Sequence, residues 1–195
     1  MTPPSVLAEL RAATQPQHER IERLLALDAP MPLNRYAAII GGFHTFLHRW
    51  EQDVQSALPV RLRPWFGLRR RARFAADDLA WLQAAAPAPP PATAEEAWHP
   101  DITLPALFGS MYVVEGSALG GQVITPWLRR ELGLAPGAGA SYFHGFGERT
   151  GAMWREFREL AQAEIGAGTS ERYTACAAAQ ATFGALLHRF EGLSS

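Results

Sequence analysis

The sequence predicts an all-α chain, a single-domain helical bundle, and three observations carry that reading. Apolar residues recur mostly at three- and four-residue spacing, the period of an amphipathic helix. No alternating run bounded by hairpin turns stands against it. The Gly- and Pro-rich stretches read as single loops between helices, and 195 residues suit one core.

Six main helices follow in order. The first, residues 5–27, places Leu7, Leu10, Thr14, His18, Ile21 and Leu25 on one face; Pro16 lies inside it, where it removes a backbone hydrogen bond and kinks the chain. The second, 33–57, holds His44 and His48 one turn apart. The third, 66–85, carries the dense basic run Leu68-Arg69-Arg70-Arg71-Ala72-Arg73. An Ala- and Pro-rich loop spans 84–100, and the fourth helix, 103–132, concentrates glycine. A Gly/Ala/Pro turn over 134–141 leads to helices 147–165 and 170–192. Neither loop separates two self-sufficient cores, so residues 1–195 form one domain.

Composition narrows the class. With 48% hydrophobic and 19% charged residues the chain is globular, and a net charge of −1 supplies no global field for nucleic acid or a membrane surface. All 18 basic residues are arginine, whose rigid fork suits carboxylates. Cys176 is the sole cysteine, so no disulfide or thiolate cluster forms within the chain and a reducing compartment fits. The first ten residues lack the order of a secretory signal, and no apolar run approaches the ~18 residues of a spanning helix. The expectation is a cytoplasmic protein. The basic run is read as a solvated helix face, with a docking patch for an acidic electron donor as the sharper alternative. Asp77 and Asp78 follow it at once and no aromatic platform interleaves it, which argues against nucleic acid.

Of the six histidines, His18 has the best context for a metal. Its position on the apolar face points it toward the core side, where an imidazole needs partners. Glu22, four residues on, can accept one ring N–H, fixing the tautomer and leaving Nε2 for a metal. Arg11, two turns earlier at nearly the same azimuth, lies roughly 10 Å along the axis, a reach that suits an acidic group at the rim of a flat cofactor. The plain alternative is a His–Glu surface pair. His44 and His48 share a face but lack the third ligand zinc wants, so they read as packing. His99 sits in a loop, His144 in a Gly-rich turn and His188 on a polar side. A di-iron bundle would show two Glu-x-x-His pairs; only Glu96–His99 matches.

The fourth helix carries Gly109, Gly116, Gly120 and Gly121. A glycine inside a helix costs about 1 kcal/mol relative to alanine, so four cost on the order of 4 kcal/mol. Gly109, Gly116 and Gly120 project from nearly one face, with Ser110, Ser117 and Gly121 beside them, giving a bare strip and a kink. Two readings are open: close helix–helix packing, or a planar ligand laid against the backbone.

Two segments together are specific. Leu10-Arg11-Ala12-Ala13-Thr14-Gln15-Pro16-Gln17-His18-Glu19-Arg20-Ile21-Glu22 resembles the proximal helix of haem oxygenases, and Tyr112-Val113-Val114-Glu115-Gly116-Ser117-Ala118-Leu119-Gly120-Gly121-Gln122 resembles their distal helix. The form Glu-Gly-Ser-x-Leu-Gly-Gly looks most like the bacterial, phytochrome-associated branch. The resemblance extends over nearly the whole chain. Ser117 stands where many members carry an Asp that anchors a water near bound oxygen, and the family does not require Pro16.

The resemblance implies haem b as substrate and cofactor, with His18 as iron ligand and Glu22 as its orienting partner. It implies that Arg11 and Arg155 clamp propionates, and that Tyr112, Gly121 and Phe183 contact the ring. Gly116 and Gly120 would bring the distal backbone close to the iron, and Ser117 with water would deliver protons. Oxygen activated on the iron would attack a meso carbon, giving biliverdin, CO and free iron. The chain has no dinucleotide fingerprint, so electrons would come from an external ferredoxin, flavoprotein or reductase. A bacteriophytochrome would accept the biliverdin. Two rivals use other chemistry: a haem carrier or sensor that does not degrade its ligand, and a helical relative without haem, such as a thiaminase-like hydrolase. The latter needs a nucleophile, and Cys176 among alanines reads as core.

Overall fold

The computed structural model describes residues 5–85 and 103–191. Among the described residues eight α-helices form: α1 (Val6–Leu25), α2 (Leu33–Ala57), α3 (Arg63–Gly67), α4 (Ala72–Ala85), α5 (Leu104–Leu132), α6 (Ser141–His144), α7 (Thr150–Ile165) and α8 (Thr169–Glu191). Among the described residues no strand forms; two isolated bridges pin the turn at Ala135. The buried residues make one core.

The long helices fall where the apolar period places them, and their ends carry the expected chemistry. The Ser5 hydroxyl accepts from the Ala8 N–H at the start of α1, and the Thr103 hydroxyl accepts from Ala106 at the start of α5. Gly133 takes a left-handed conformation that ends α5. Helix α1 runs through Pro16 without a break in its assignment, and α5 likewise runs unbroken over its glycines.

Three expectations need correction. The helix expected over 66–85 is broken: α3 ends at Gly67 and α4 begins at Ala72. Its basic run is no solvated face or docking patch as a whole, because Arg69 and Arg71 are 4% and 3% exposed. The cause lies in two carboxylates of the interior. Glu51 on α2 is 2% exposed; it accepts from the backbone N–H groups of Arg71 and Ala72 and from the Arg70 guanidinium. Glu115 on α5 accepts from Arg69 at 2.7 Å, and Arg69 also donates to Glu156 and to the Met153 carbonyl on α7. Buried carboxylates need cations and N–H donors, and the chain leaves helical geometry between α3 and α4 to supply them. The third correction is α6, a short helix that begins at the last residue of the expected 134–141 turn and takes in His144, expected in a turn. The Asp78 carboxylate on α4 accepts from the N–H groups of Ser141 and Tyr142, both at 2.7 Å, and so starts that helix. Most of the expected 84–100 loop lies outside the described residues, as does His99; residues 84 and 85 end α4.

Helix α8 is the central member. Helices α1 and α5 each pack along it far more than along one another, which leaves a groove between them with α8 as its base. A polar chain fixes α5 in that frame: the Trp50 indole N–H donates to the Ser110 hydroxyl, which bonds the Thr182 hydroxyl at 2.7 Å. It ties α2, α5 and α8 through buried groups that are each satisfied.

Candidate functional site

The buried stripe of α1 reads Val6, Leu10, Thr14, then Ile21 and Leu25. His18 lies about 40° round the helix from Thr14, at the edge of that stripe, and its side chain is 57% exposed. The expectation that it points into the core is therefore corrected. His18 sits beside the buried face, where the helix borders the groove. Its Nδ1 lies 3.4 Å from a Glu22 carboxylate oxygen, as the spacing implied, which directs the other ring nitrogen away from Glu22. The ring also meets the buried Phe183 of α8 edge to face, centroids 5.9 Å apart.

The four glycines of α5 divide into two pairs. A Cβ on Gly109 would lie 2.0 Å from the Ala175 carbonyl oxygen, and one on Gly121 would lie 1.8 Å from that of Phe143. These two exist for backbone packing against α8 and α6. Gly121, expected to contact the ring, is thus taken up elsewhere. A Cβ on Gly116 would meet only Trp154, at 3.8 Å, and one on Gly120 only Ile124, at 3.8 Å. Both border open space in the groove. The packing reading of the glycine strip holds for Gly109 and Gly121, and no backbone packs on Gly116 or Gly120.

Tyr112, one turn before Gly116, links the walls. Its phenol hydrogen-bonds the Thr14 side chain on α1, and the Arg11 charge lies nearby. Burial pushes the phenol pKa up, while Thr14 and Arg11 hold it back. One turn beyond Thr14 is His18, and one turn beyond Tyr112 is Gly116. Trp154 of α7 packs on Tyr112 with centroids 5.9 Å apart, and the next residue, Arg155, is exposed. Arg11 is exposed as well, and among the described residues no carboxylate pairs with either arginine.

Ser117 differs from expectation in its bonding. Its hydroxyl donates to the Val114 carbonyl at 2.8 Å and accepts from the Arg71 guanidinium at 2.6 Å. Sequence reasoning missed Arg71, because nothing local marks which arginine of the run is buried against α5. Tyr142, under the Arg71 guanidinium at 5.1 Å, completes this corner. Burial raises its phenol pKa, and Arg71 and Ser117 oppose that rise.

The remaining candidates stay outside. His44 and His48 stand 5.8 Å apart by centroids, His48 bonds Gln52, and no group of three metal-capable side chains exists among the described residues. Burial and the neighbouring His48 lower the His44 pKa. His144 and His188 are exposed. Burial and the nearby Glu9 push the Cys176 thiol up, the wrong direction for a nucleophile.

A haem fits these residues. The donor set offers one imidazole held by a carboxylate, an apolar edge at Phe183 and Trp154, a backbone strip bare of side chains, and two arginines without carboxylate partners. An all-helical domain with this groove is that of a haem-cleaving oxygenase. Residues 5–191 match the family model named "Heme oxygenase". A haem oxygenase of Xanthomonas campestris pv. campestris is 32% identical over 151 residues, 76% of this chain and 84% of that protein. The structure of haem oxygenase from Leptospira interrogans superposes with a TM-score of 0.72 at 17% identity, covering 97% of this chain and all of that one. That of haem oxygenase-1 from the cyanobacterium Synechocystis sp. PCC6803, solved in complex with haem, gives 0.70 at 16% identity over 97% and 92% of the two chains. The chain belongs to the haem oxygenase family.

Proposed function

We infer that this chain takes haem b as substrate in the α1–α5 groove and cleaves it to biliverdin, CO and iron. The observation that carries the reading is the juxtaposition of the His18–Glu22 pair with a helix bare at Gly116 and Gly120. When bound, haem supplies the iron at which oxygen is activated and the ring that is cleaved.

The protein's part is to hold and orient. His18 ligates through Nε2, and Glu22 at Nδ1 keeps that nitrogen unprotonated and directed outward. Arg11 and Arg155 receive the propionates through charge-assisted bonds. Phe183 and Tyr112 border the ring, while Gly116 and Gly120 let the distal backbone approach it. Electrons come from an external ferredoxin, flavoprotein or reductase. The Glu-Gly-Ser-x-Leu-Gly-Gly form supports delivery of biliverdin to a bacteriophytochrome.

The test is direct. Purified protein is mixed with haemin, a reductant and air, and the absorption spectrum is followed. The expected course is loss of the haem band and growth of a biliverdin band over several turnovers. A haem complex that forms and then persists unchanged under reduction and air overturns the reading.

A further inference from the structure

Arg71 is a buried guanidinium with no carboxylate in ion-pair contact among the described residues. That is unusual for an arginine, because desolvating the charge is costly unless it is paired. Its neighbour Arg69 has two carboxylates, and Arg70 has Glu51. Arg71 instead spends Nη2 on two groups of the distal helix, the Val114 carbonyl at 2.7 Å and the Ser117 hydroxyl at 2.6 Å. The groups around it come from three helices. Glu51 on α2 accepts its backbone N–H, Glu115 on α5 is bonded to Arg69, and the Tyr142 ring on α6 lies under its plane.

The consequence for Ser117 follows from proton counting. A serine hydroxyl has one proton to donate. Here it goes to the Val114 carbonyl, Arg71 takes one of the two lone pairs, and the Tyr142 phenol also hydrogen-bonds this hydroxyl. Ser117 therefore has no donor left for a water or an anion beside it. A guanidinium has five N–H donors, and Val114 and Ser117 occupy only those on Nη2.

Resting on the haem reading above, we propose that Arg71 is the positioning residue of the distal side. It orients the Ser117 hydroxyl and supplies the fixed positive charge and N–H donors that Ser117 lacks. A cation on the helix flank thus works where a carboxylate on the helix would otherwise anchor water.

The probe is fluoride binding to the ferric haem complex, an equilibrium read from the absorption spectrum and independent of turnover. Fluoride accepts hydrogen bonds and carries charge, so it reports both properties of Arg71. In Arg71→Met its affinity falls about tenfold or more, the size of one lost bond to a charged group. Arg71→Lys, which keeps the charge but not the planar fork, restores part of it. Ser117→Ala stays within about threefold of wild type, since the Ser117 hydroxyl has no donor to give fluoride and Arg71 keeps its bond to the Val114 carbonyl. An Arg71→Met complex that binds haemin and fluoride as wild type does overturns the proposal. If that variant does not fold, Ser117→Ala decides: a tenfold loss there, with Arg71 intact, overturns the assignment equally, and retained affinity supports it. Wild-type protein that does not bind haemin overturns the haem reading and this proposal with it. Wild-type cleavage alongside an indifferent Arg71→Met removes the proposal alone.

Discussion

Alanine at the α5 glycines has opposite signs at neighbouring positions. Gly120→Ala puts a methyl where the nearest atom is Ile124 Cδ1 at 3.8 Å, an ordinary contact. The helix gains about 1 kcal/mol of propensity. For a domain of this size that raises the melting temperature by roughly 2–4 °C. Gly121→Ala gains the same propensity but drives its methyl to 1.8 Å from the Phe143 carbonyl oxygen. The obstacle is backbone, which cannot swing aside, so the overpacking cost lies toward the upper end of about 1–3 kcal/mol. The net is a loss of a kcal/mol or more and a fall of several degrees. Gly109→Ala, at 2.0 Å from the Ala175 carbonyl oxygen, behaves like Gly121→Ala. Thermal unfolding of the apoprotein by circular dichroism reads these signs, and haemin titration reads the second effect. Gly120→Leu keeps a folded helix while blocking haem binding or turnover, because its side chain enters the groove. If Gly120→Ala destabilises as Gly121→Ala does, or Gly120→Leu binds and cleaves haem normally, the bare strip is a packing surface and the site lies elsewhere.

His18→Ala loses nearly all turnover while haemin still binds through the apolar groove and the arginines, and added imidazole restores part of the rate; native-rate cleavage without imidazole would remove the ligand assignment. Glu22→Gln keeps haem bound but weakens the iron–imidazole bond, visible as a lowered iron–histidine stretching frequency. Arg69→Met leaves the buried Glu115 without its contacting cation and costs about 3–5 kcal/mol in urea unfolding; a change below about 1 kcal/mol would mean the pair is solvated. Burial outweighs the arginines at Glu115 and raises its pKa above the ordinary 4.5. The folded state therefore binds a proton that the unfolded state releases, and this group's contribution to stability falls as pH rises from about 4.5 through the raised value. Glu115→Gln flattens stability against pH in that window, and an unchanged slope there refutes the assignment.

The helices were legible because the 3.6-residue period is a property of each segment alone. The His18–Glu22 pair was legible for the same reason, since residues four apart on a helix meet without help from the rest of the fold. The exposure of His18 was not, because azimuth states which way a residue points and not what stands opposite. The fate of Arg69 and Arg71 was illegible for a related reason. Their partners Glu51, Val114, Ser117 and Glu115 lie 20 to 46 residues away, and a run of arginines looks the same whether it meets water or buried carboxylates. The division of the glycines also depends on contacts with α6 and α8 that no local pattern encodes.

That division bears on why α5 is built as it is. Four glycines cost on the order of 4 kcal/mol of helix stability. Gly109 and Gly121 recover their share within the fold, because close approach to α8 and α6 is possible only without a Cβ. Gly116 and Gly120 recover nothing from packing, which leaves on the order of 2 kcal/mol unexplained by folding. The helix is then braced by charged groups at the positions beside Gly116 rather than by side chains on the bare face. Arg69 holds Glu115, and Arg71 holds the Val114 carbonyl and Ser117. These anchors flank Gly116 on both sides in sequence and come from the α3–α4 connection. A helix that has to present bare backbone to a planar substrate cannot be stiffened by residues pointing at that substrate. Stiffening it through residues 114, 115 and 117, beside the bare face, is the arrangement that keeps that face both open and fixed.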